Sequence, residues 1–384
     1  MFRLILALIF IRPFISSLAF PQTDSVYTLI SMPLLSFWLI YNRFSFKKDL
    51  PAELKHPLSL LLLAIVSSLV FSQNISKSIP ETCKYFNGLL LFLFTALSTD
   101  KERRRVINTL SAAALCVSLL AIYQFLGGFQ YTLSYLTGKE INNPVLIEYL
   151  SRKRVFFPFI SPNTLAGYLA VTIAVVLAFK KNIFYAVLLT LALVLTKSLA
   201  GLGSILSGLS FYFYLRGGTN SKRRILLLGL LTAVFLTLFI RSVDQPRYFQ
   251  PLFSAIARYE YWQETLKIIS KSPLLGVGLG NLTLSKTQYA HNFILQLWAE
   301  MGIIGVMSFL WFIFTVYTLN AKTLHAKETA GLIAGISVFL LHNLLDFSFS
   351  LPEVNYLLWL LSGCLVAISS RAGFISHPMT REPL

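Results

Sequence analysis

Apolar runs bounded by charge or by Pro and Gly divide the chain near 3–20, 25–42, 57–73, 82–98, 106–126, 160–179, 182–197, 199–215, 224–241, 292–319, 328–347 and 353–370. Runs approaching ~20 residues match a helix crossing a hydrocarbon core about 30 Å thick. A spanning segment finds no water there and must satisfy its own backbone, which at this length selects helices over barrel strands. The pattern predicts an all-α polytopic membrane protein, one integral domain over 1–384 with about twelve transmembrane helices. The fourth and eighth runs are the least regular: Lys84 and Asn87 interrupt one, and little separates the seventh from the eighth. The first run carries Pro13, Ser16 and Ser17 but no evident cleavage site, so it reads as a helix and not as a removed signal.

Two stretches stay outside the runs, 128–158 and 242–291. In the second, between Ser254 and Ser270, Tyr259, Trp262, Leu266 and Ile269 share one helical face while Glu260, Glu264, Lys267 and Lys271 share the other. This predicts an amphipathic helix lying on the membrane surface, with Arg258 at the border of its apolar stripe and pointing toward headgroups. Pro273 ends that helix, and Gly276, Gly278 and Gly280 follow as a tight irregular loop.

Composition agrees with this reading: 55% of residues are apolar, 13% are charged and mean hydropathy is +0.68. The formal charge of +17 would suggest nucleic acid in a soluble protein. Here it sorts by side. Arg43, Lys47, Lys48, Lys55, Lys101, Arg103, Arg104, Arg105, Lys180, Lys181, Arg216, Lys222, Arg223, Arg224, Lys322 and Lys327 fall on alternate connections. The positive-inside rule then puts both termini in the cytoplasm and both long stretches outside, with membrane lipids as partners and no nucleic acid. Cys83, Cys116 and Cys364 lie in or beside apolar runs without metal-ligand spacing and read as packing residues. The outer stretches hold few carboxylates and no Asp-x-Asp pair, so no metal and no cofactor is expected.

After the glycine loop come His291 and Asn292, nine residues from Phe293 to Met301, then Gly302, Ile303, Ile304, Gly305 and Val306. This order resembles the signature of bacterial O-antigen ligases, within a wider superfamily that includes polymerases. Arg258, Trp262, Pro273, Gly276, Gly278 and Gly280 resemble the stretch preceding that signature, and Arg154 with Ser161, Pro162, Asn163 and Ala166, and His342, Asp346 and Pro352, extend the likeness across roughly the second half of the chain. The resemblance implies transfer of O-antigen glycan from an undecaprenyl-diphosphate carrier to lipid A core, at the periplasmic face of the inner membrane. By analogy, the fold is that of the all-helical membrane glycosyltransferases (GT-C-like). Polymerases of the group are described by Arg, ten residues, then Gly; here Leu165 and Ile269 stand at those positions after Arg154 and Arg258, which favours the ligase. Relatives that glycosylate proteins keep the acceptor open.

The residue types suit this chemistry. An acceptor hydroxyl is a poor nucleophile, and a neutral imidazole can take its proton, which makes His291 the candidate general base. A diphosphate leaving group gains charge that guanidinium groups match bidentately, which points to Arg258 and Arg154, then to Arg152 and Arg247. Asn292 and Trp262 are supporting candidates. So are Glu300, about two turns into its helix, and the pair His342 and Asp346, four apart on one face. Each has a structural alternative: His291 as an interfacial cap, Arg258 snorkelling, the Arg152–Arg154 cluster attracting anionic lipid, and Glu300 bracing the bundle. The Gly276 run lacks the strand a nucleotide loop needs and instead shapes the loop beneath the site, while Ser161 caps the sixth run. A transporter is the reading from another class, carried by Lys84, Lys197 and Glu300 within apolar runs.

Overall fold

A computed structural model describes residues 1–42, 44, 49–138, 144–179, 183–218, 220–243 and 250–375. Among these, the regular elements are helical. The longer helices are α1 (Phe2–Ile11), α2 (Pro21–Tyr41), α3 (Ala52–Val70), α4 (Ile75–Ala96), α5 (Asp100–Tyr123), α6 (Phe129–Gly138), α7 (Pro144–Ser151) and α8 (Pro162–Phe179). They continue as α9 (Ile183–Leu195), α10 (Leu199–Leu215), α11 (Ser221–Val243), α12 (Pro251–Ile269), α13 (Phe293–Thr318), α14 (Lys327–Asn343) and α15 (Pro352–Ile375).

Among the described residues, seven helices are long and apolar enough to cross a membrane, and Phe184–Leu195 and Leu199–Leu215 are shorter apolar ones. The protein is therefore a polytopic helical membrane protein, with seven such helices among the described residues against the twelve spans expected. The first run shows why. Helix α1 has ten residues and rises ~15 Å, about half a hydrocarbon core. It gives way to a short 3-10 turn over Arg12–Phe14, where Pro13 stands and Arg12 is buried. The Arg12 guanidinium lies 2.6 Å from Asp24 and 3.5 Å from Glu353. A buried cation anchored between two carboxylates holds α1, α2 and α15 together and stops the first run from continuing as one helix. Arg12→Leu leaves both carboxylates buried and uncompensated, and is expected to lower stability by about 3–5 kcal/mol. Thermal unfolding in detergent measures this.

Helix α8 forms the centre and α11 the rim: 83% of the apolar stretch of α8 is buried, against 17% for α11. Helix α8 packs on α14, α10 and α9, while α4 packs on α15 and α13 on α3. Side-chain caps start several helices: Asn74 for α4, Thr99 with Glu102 for α5, Ser198 for α10 and Asn292 for α13. As expected, Ser161 caps α8, its hydroxyl accepting from the Thr164 amide at 3.1 Å.

The bundle has two chemically different ends. At one, Arg103 pairs with Asp100 and Glu328, Arg104 pairs with Glu328, and Arg216 donates to the His325 carbonyl. At the other, the C-termini of α9, α11 and α14 meet the N-termini of α8, α10 and α13, and α12 lies among them. The His291 segment sits at this second end.

Candidate functional site at the His291 end

The glycine loop is built into a broken helix. At Gly302 the backbone of α13 leaves helical geometry (φ 67°, ψ −175°). The orphaned backbone groups find partners in the loop. Val277 N–H donates to the Ala299 carbonyl at 2.8 Å, Gly278 N–H donates to the Glu300 carbonyl at 3.0 Å, and the Ile303 N–H donates to the Pro273 carbonyl at 3.0 Å. Ser68 of α3 also donates to the Glu300 carbonyl, and Trp298 donates to that of Pro273. The loop thus docks into the break in α13 by replacing the helix's own hydrogen bonds, and its Gly280 lines the cavity beside Glu300 and not the one beside His291, where the sequence pattern places it.

His291 precedes α13 with a left-handed backbone (φ 53°), a conformation that a non-glycine residue adopts at a cost. Its ring stacks on Tyr261 of α12, with centroids 5.5 Å apart, and meets Phe347 edge-on at 4.9 Å. Nδ1 is buried and has no hydrogen-bond partner among the described residues. Burial pushes the His291 pKa down to about 4; Asp346 opposes the shift and Arg258 adds to it. The imidazole is therefore neutral at pH 7, the form able to accept a proton.

His291 lines a cavity of about 720 Å³ shared with Arg154, Arg241 and Arg258. The Arg258 guanidinium turns inward, away from the headgroup position expected from the helical projection: Nε donates to the Leu345 carbonyl at 2.7 Å and Nη1 to that of Ser254 at 3.2 Å. Arg154 is buried, donating to the Thr196 carbonyl at 3.0 Å and to Asn163 Oδ1 at 3.3 Å, and lies over the Tyr149 ring. Asn163 in turn accepts from Ser198, which fixes its amide. Arg241 ends α11, 3.5 Å from the Ser254 hydroxyl. Burial and the neighbouring Arg241 lower the Arg154 pKa to about 10; burial also lowers that of Arg258, which Asp346 opposes. Glu148 and Glu260 are the carboxylates on this wall, and Glu260 pairs with Lys286 at 3.1 Å. Among the described residues of this wall, three guanidinium groups outnumber two carboxylates and make an electropositive hollow suited to an anion.

The other sequence candidates fall as follows. Arg247 lies outside the described residues. Arg152 adjoins Arg154 but does not line the cavity; its carbonyl accepts from Lys197. Asn292 caps α13 through the Ile294 and Leu295 amides and donates to the Leu344 carbonyl. Tyr259 and Leu266 face outward from α12 as expected, but Ile269 is buried beneath it, and Trp262 lines neither large cavity. His342 Nε2 lies 3.3 Å from Asp346 Oδ2, both buried. Burial alone would raise the Asp346 carboxyl, but His342, then His291 and the Ser348 hydroxyl, hold it at about 2, a fixed anion behind the site. Glu300 accepts from Gln296 at 2.8 Å and from the Gly280 amide at 3.2 Å, and it opens into a separate cavity.

Sequence reasoning missed Arg241, Tyr261 and Phe347. Arg241 has the look of an ordinary snorkelling end to an apolar run, and only the approach of α11 to α12 makes it a third guanidinium at the site. Among the described residues, no cluster of three or more His, Cys, Asp or Glu side chains is placed to hold a metal ion.

No curated protein matches the chain. Residues 184–310, from the start of α9 through α12, the glycine loop and His291 into α13, match the family model described as O-antigen ligase, the family that the His291 signature resembles.

Proposed function

We propose that the protein transfers O-antigen glycan from undecaprenyl diphosphate to a sugar hydroxyl of lipid A core, at the periplasmic face of the bacterial inner membrane. The observation that carries this reading is the grouping of Arg154, Arg241 and Arg258 in one cavity with a neutral, left-handed His291 on its wall. The donor enters sideways from the outer leaflet along α12, and its diphosphate settles among the guanidinium groups. The acceptor hydroxyl gives its proton to His291 as its oxygen bonds to the anomeric carbon. The bond from that carbon to the diphosphate oxygen breaks in the same step, the electron pair leaves on undecaprenyl diphosphate, and the anomeric centre inverts. Arginines poised where this charge develops lower the barrier without reorganising. The diphosphate linkage supplies the driving force, so the reaction consumes no nucleotide. Both termini are then cytoplasmic, and the stretches 128–158 and 242–291 face the periplasm.

Purified protein incubated with undecaprenyl-diphosphate glycan and lipid A core tests the reading by mass analysis of the products. One glycan adduct on the core is the expected result. Longer glycans still on the carrier would make it a polymerase, an adduct on protein would replace the acceptor, and no covalent product would favour transport. In the same assay Arg241→Ala is expected to lower kcat/KM for the donor by about 10- to 100-fold, the loss of a charge-assisted hydrogen bond to phosphate. An unchanged donor kcat/KM would remove Arg241 from the diphosphate site.

A further inference from the structure

A second cavity, of about 300 Å³, opens beside Glu300 and is lined by Tyr85, Asn87, Tyr289, Asn355 and Trp359 among others. That volume lies at the small end of ligand pockets, which run to roughly 1,000 Å³. A row of rings joins it to the arginine cavity. Tyr289, on its wall, stacks on Phe347 with centroids 4.7 Å apart, and Phe347 meets His291, which stacks on Tyr261.

We propose that this cavity binds the neutral, hydroxyl-rich sugar that carries the attacking hydroxyl, presenting it to His291 from the side away from the diphosphate; the proposal rests on the transferase reading above. Three observations support it. First, beside aliphatic side chains such as Ile5, Leu8 and Leu35, its lining supplies what a sugar needs: amide and carboxylate side chains to pair with hydroxyls, and Tyr and Trp rings for the apolar sugar face. Second, it is not an anion site. The Arg12 guanidinium is committed to Asp24 and Glu353, Lys84 to Glu81 at 2.6 Å, and Lys77, the other cation of the lining, is exposed. Third, Asn355 Oδ1 is buried with no hydrogen-bond partner among the described residues, and a buried acceptor of this kind is costly unless a ligand donates to it. Single displacement also requires the nucleophile and the leaving group on opposite sides of the anomeric carbon. Tyr289 and His291, two residues apart, line different cavities, so an acceptor held beside Tyr289 and a diphosphate held among the arginines approach the row of rings from different sides.

The test uses full-length protein in nanodiscs with Asn355→Leu and Tyr289→Phe, the latter keeping the ring stack and removing only the hydroxyl. Binding of dephosphorylated core oligosaccharide is measured without donor, and KM for core and for undecaprenyl-diphosphate glycan is measured separately. Each variant is expected to weaken oligosaccharide binding and raise the core KM by about tenfold, leaving the donor KM unchanged. Oligosaccharide binding that is absent from the wild type, or equal in wild type and both variants, overturns the proposal. So does a rise in donor KM in place of core KM, which would give the cavity to the donor glycan. Binding that is lost in the variants of a protein that transfers nothing would sink the transferase reading and keep the sugar site.

Discussion

His291→Ala is expected to lower kcat by about 10²- to 10⁴-fold, the usual contribution of a positioned general base, with donor binding retained because the three guanidinium groups remain. The geometry makes this a sharper expectation than the motif alone. An interfacial cap would have its ring nitrogens bonded to backbone; here Asn292 does the capping, and His291 Nδ1 is buried between Tyr261 and Phe347 without a partner among the described residues. The pH dependence follows from the direction of the shift. With the folded pKa lowered to about 4, the imidazole stays unprotonated as pH falls through 6.5. The acid limb of kcat/KM, which reports the free enzyme, is expected near pH 4 rather than at the ordinary histidine value. Asp346, held as an anion at about 2, keeps the shift from going further, so Asp346→Asn moves that limb to still lower pH. Full turnover by purified His291→Gln would end the general-base assignment.

The sequence announced much of this architecture because bilayer solvent leaves few choices. Every candidate run contains helix, and a helix over Pro251–Ile269 followed by Pro273 and a glycine loop stands at the chain positions the pattern gave. What the pattern misjudged were ends and partners. Arg12 sits at a polar point in the first run, but that it meets Asp24 and Glu353 depends on helices far apart in sequence. His291, Arg258 and Arg154 were legible as a motif, and their convergence on one cavity was not, since the α7–α8 connection, α12 and the start of α13 approach only in the folded bundle. A helical projection knows the stripe and not the neighbour, and so turns Arg258 toward lipid; the Leu345 carbonyl draws it inward. Glu300 reads from the sequence equally as a site residue and as a brace for the bundle. Its carbonyl braces the glycine loop, while its carboxylate faces a second cavity.

Gly302→Ala is expected to be the most damaging change outside the ionisable set, since it strikes the joint between the helix and the loop that carries His291. A Cβ at Gly302 would stand 1.9 Å from the Leu274 carbonyl oxygen and 2.2 Å from its carbon, both backbone atoms with no rotamer to yield. The residue also occupies a positive-φ, extended-ψ region open essentially to glycine, which alone costs about 1–3 kcal/mol for a side chain. The opposing position is glycine for the same reason: a Cβ at Gly276 would lie 2.5 Å from the Glu300 carbonyl carbon. The loop must therefore withdraw, breaking the bonds from Val277 and Gly278 to the Ala299 and Glu300 carbonyls and displacing the segment that leads to His291. With total stabilities of only about 5–15 kcal/mol, strain plus several lost backbone bonds should lower the melting temperature markedly and abolish turnover together. Gly229→Ala in α11, where a Cβ meets nothing within 4 Å, supplies the contrast and should gain up to about 1 kcal/mol from helix propensity. Should Gly302→Ala melt with the wild type and keep its activity, the loop does not dock into the break in α13, and other contacts must place the segment that leads to His291.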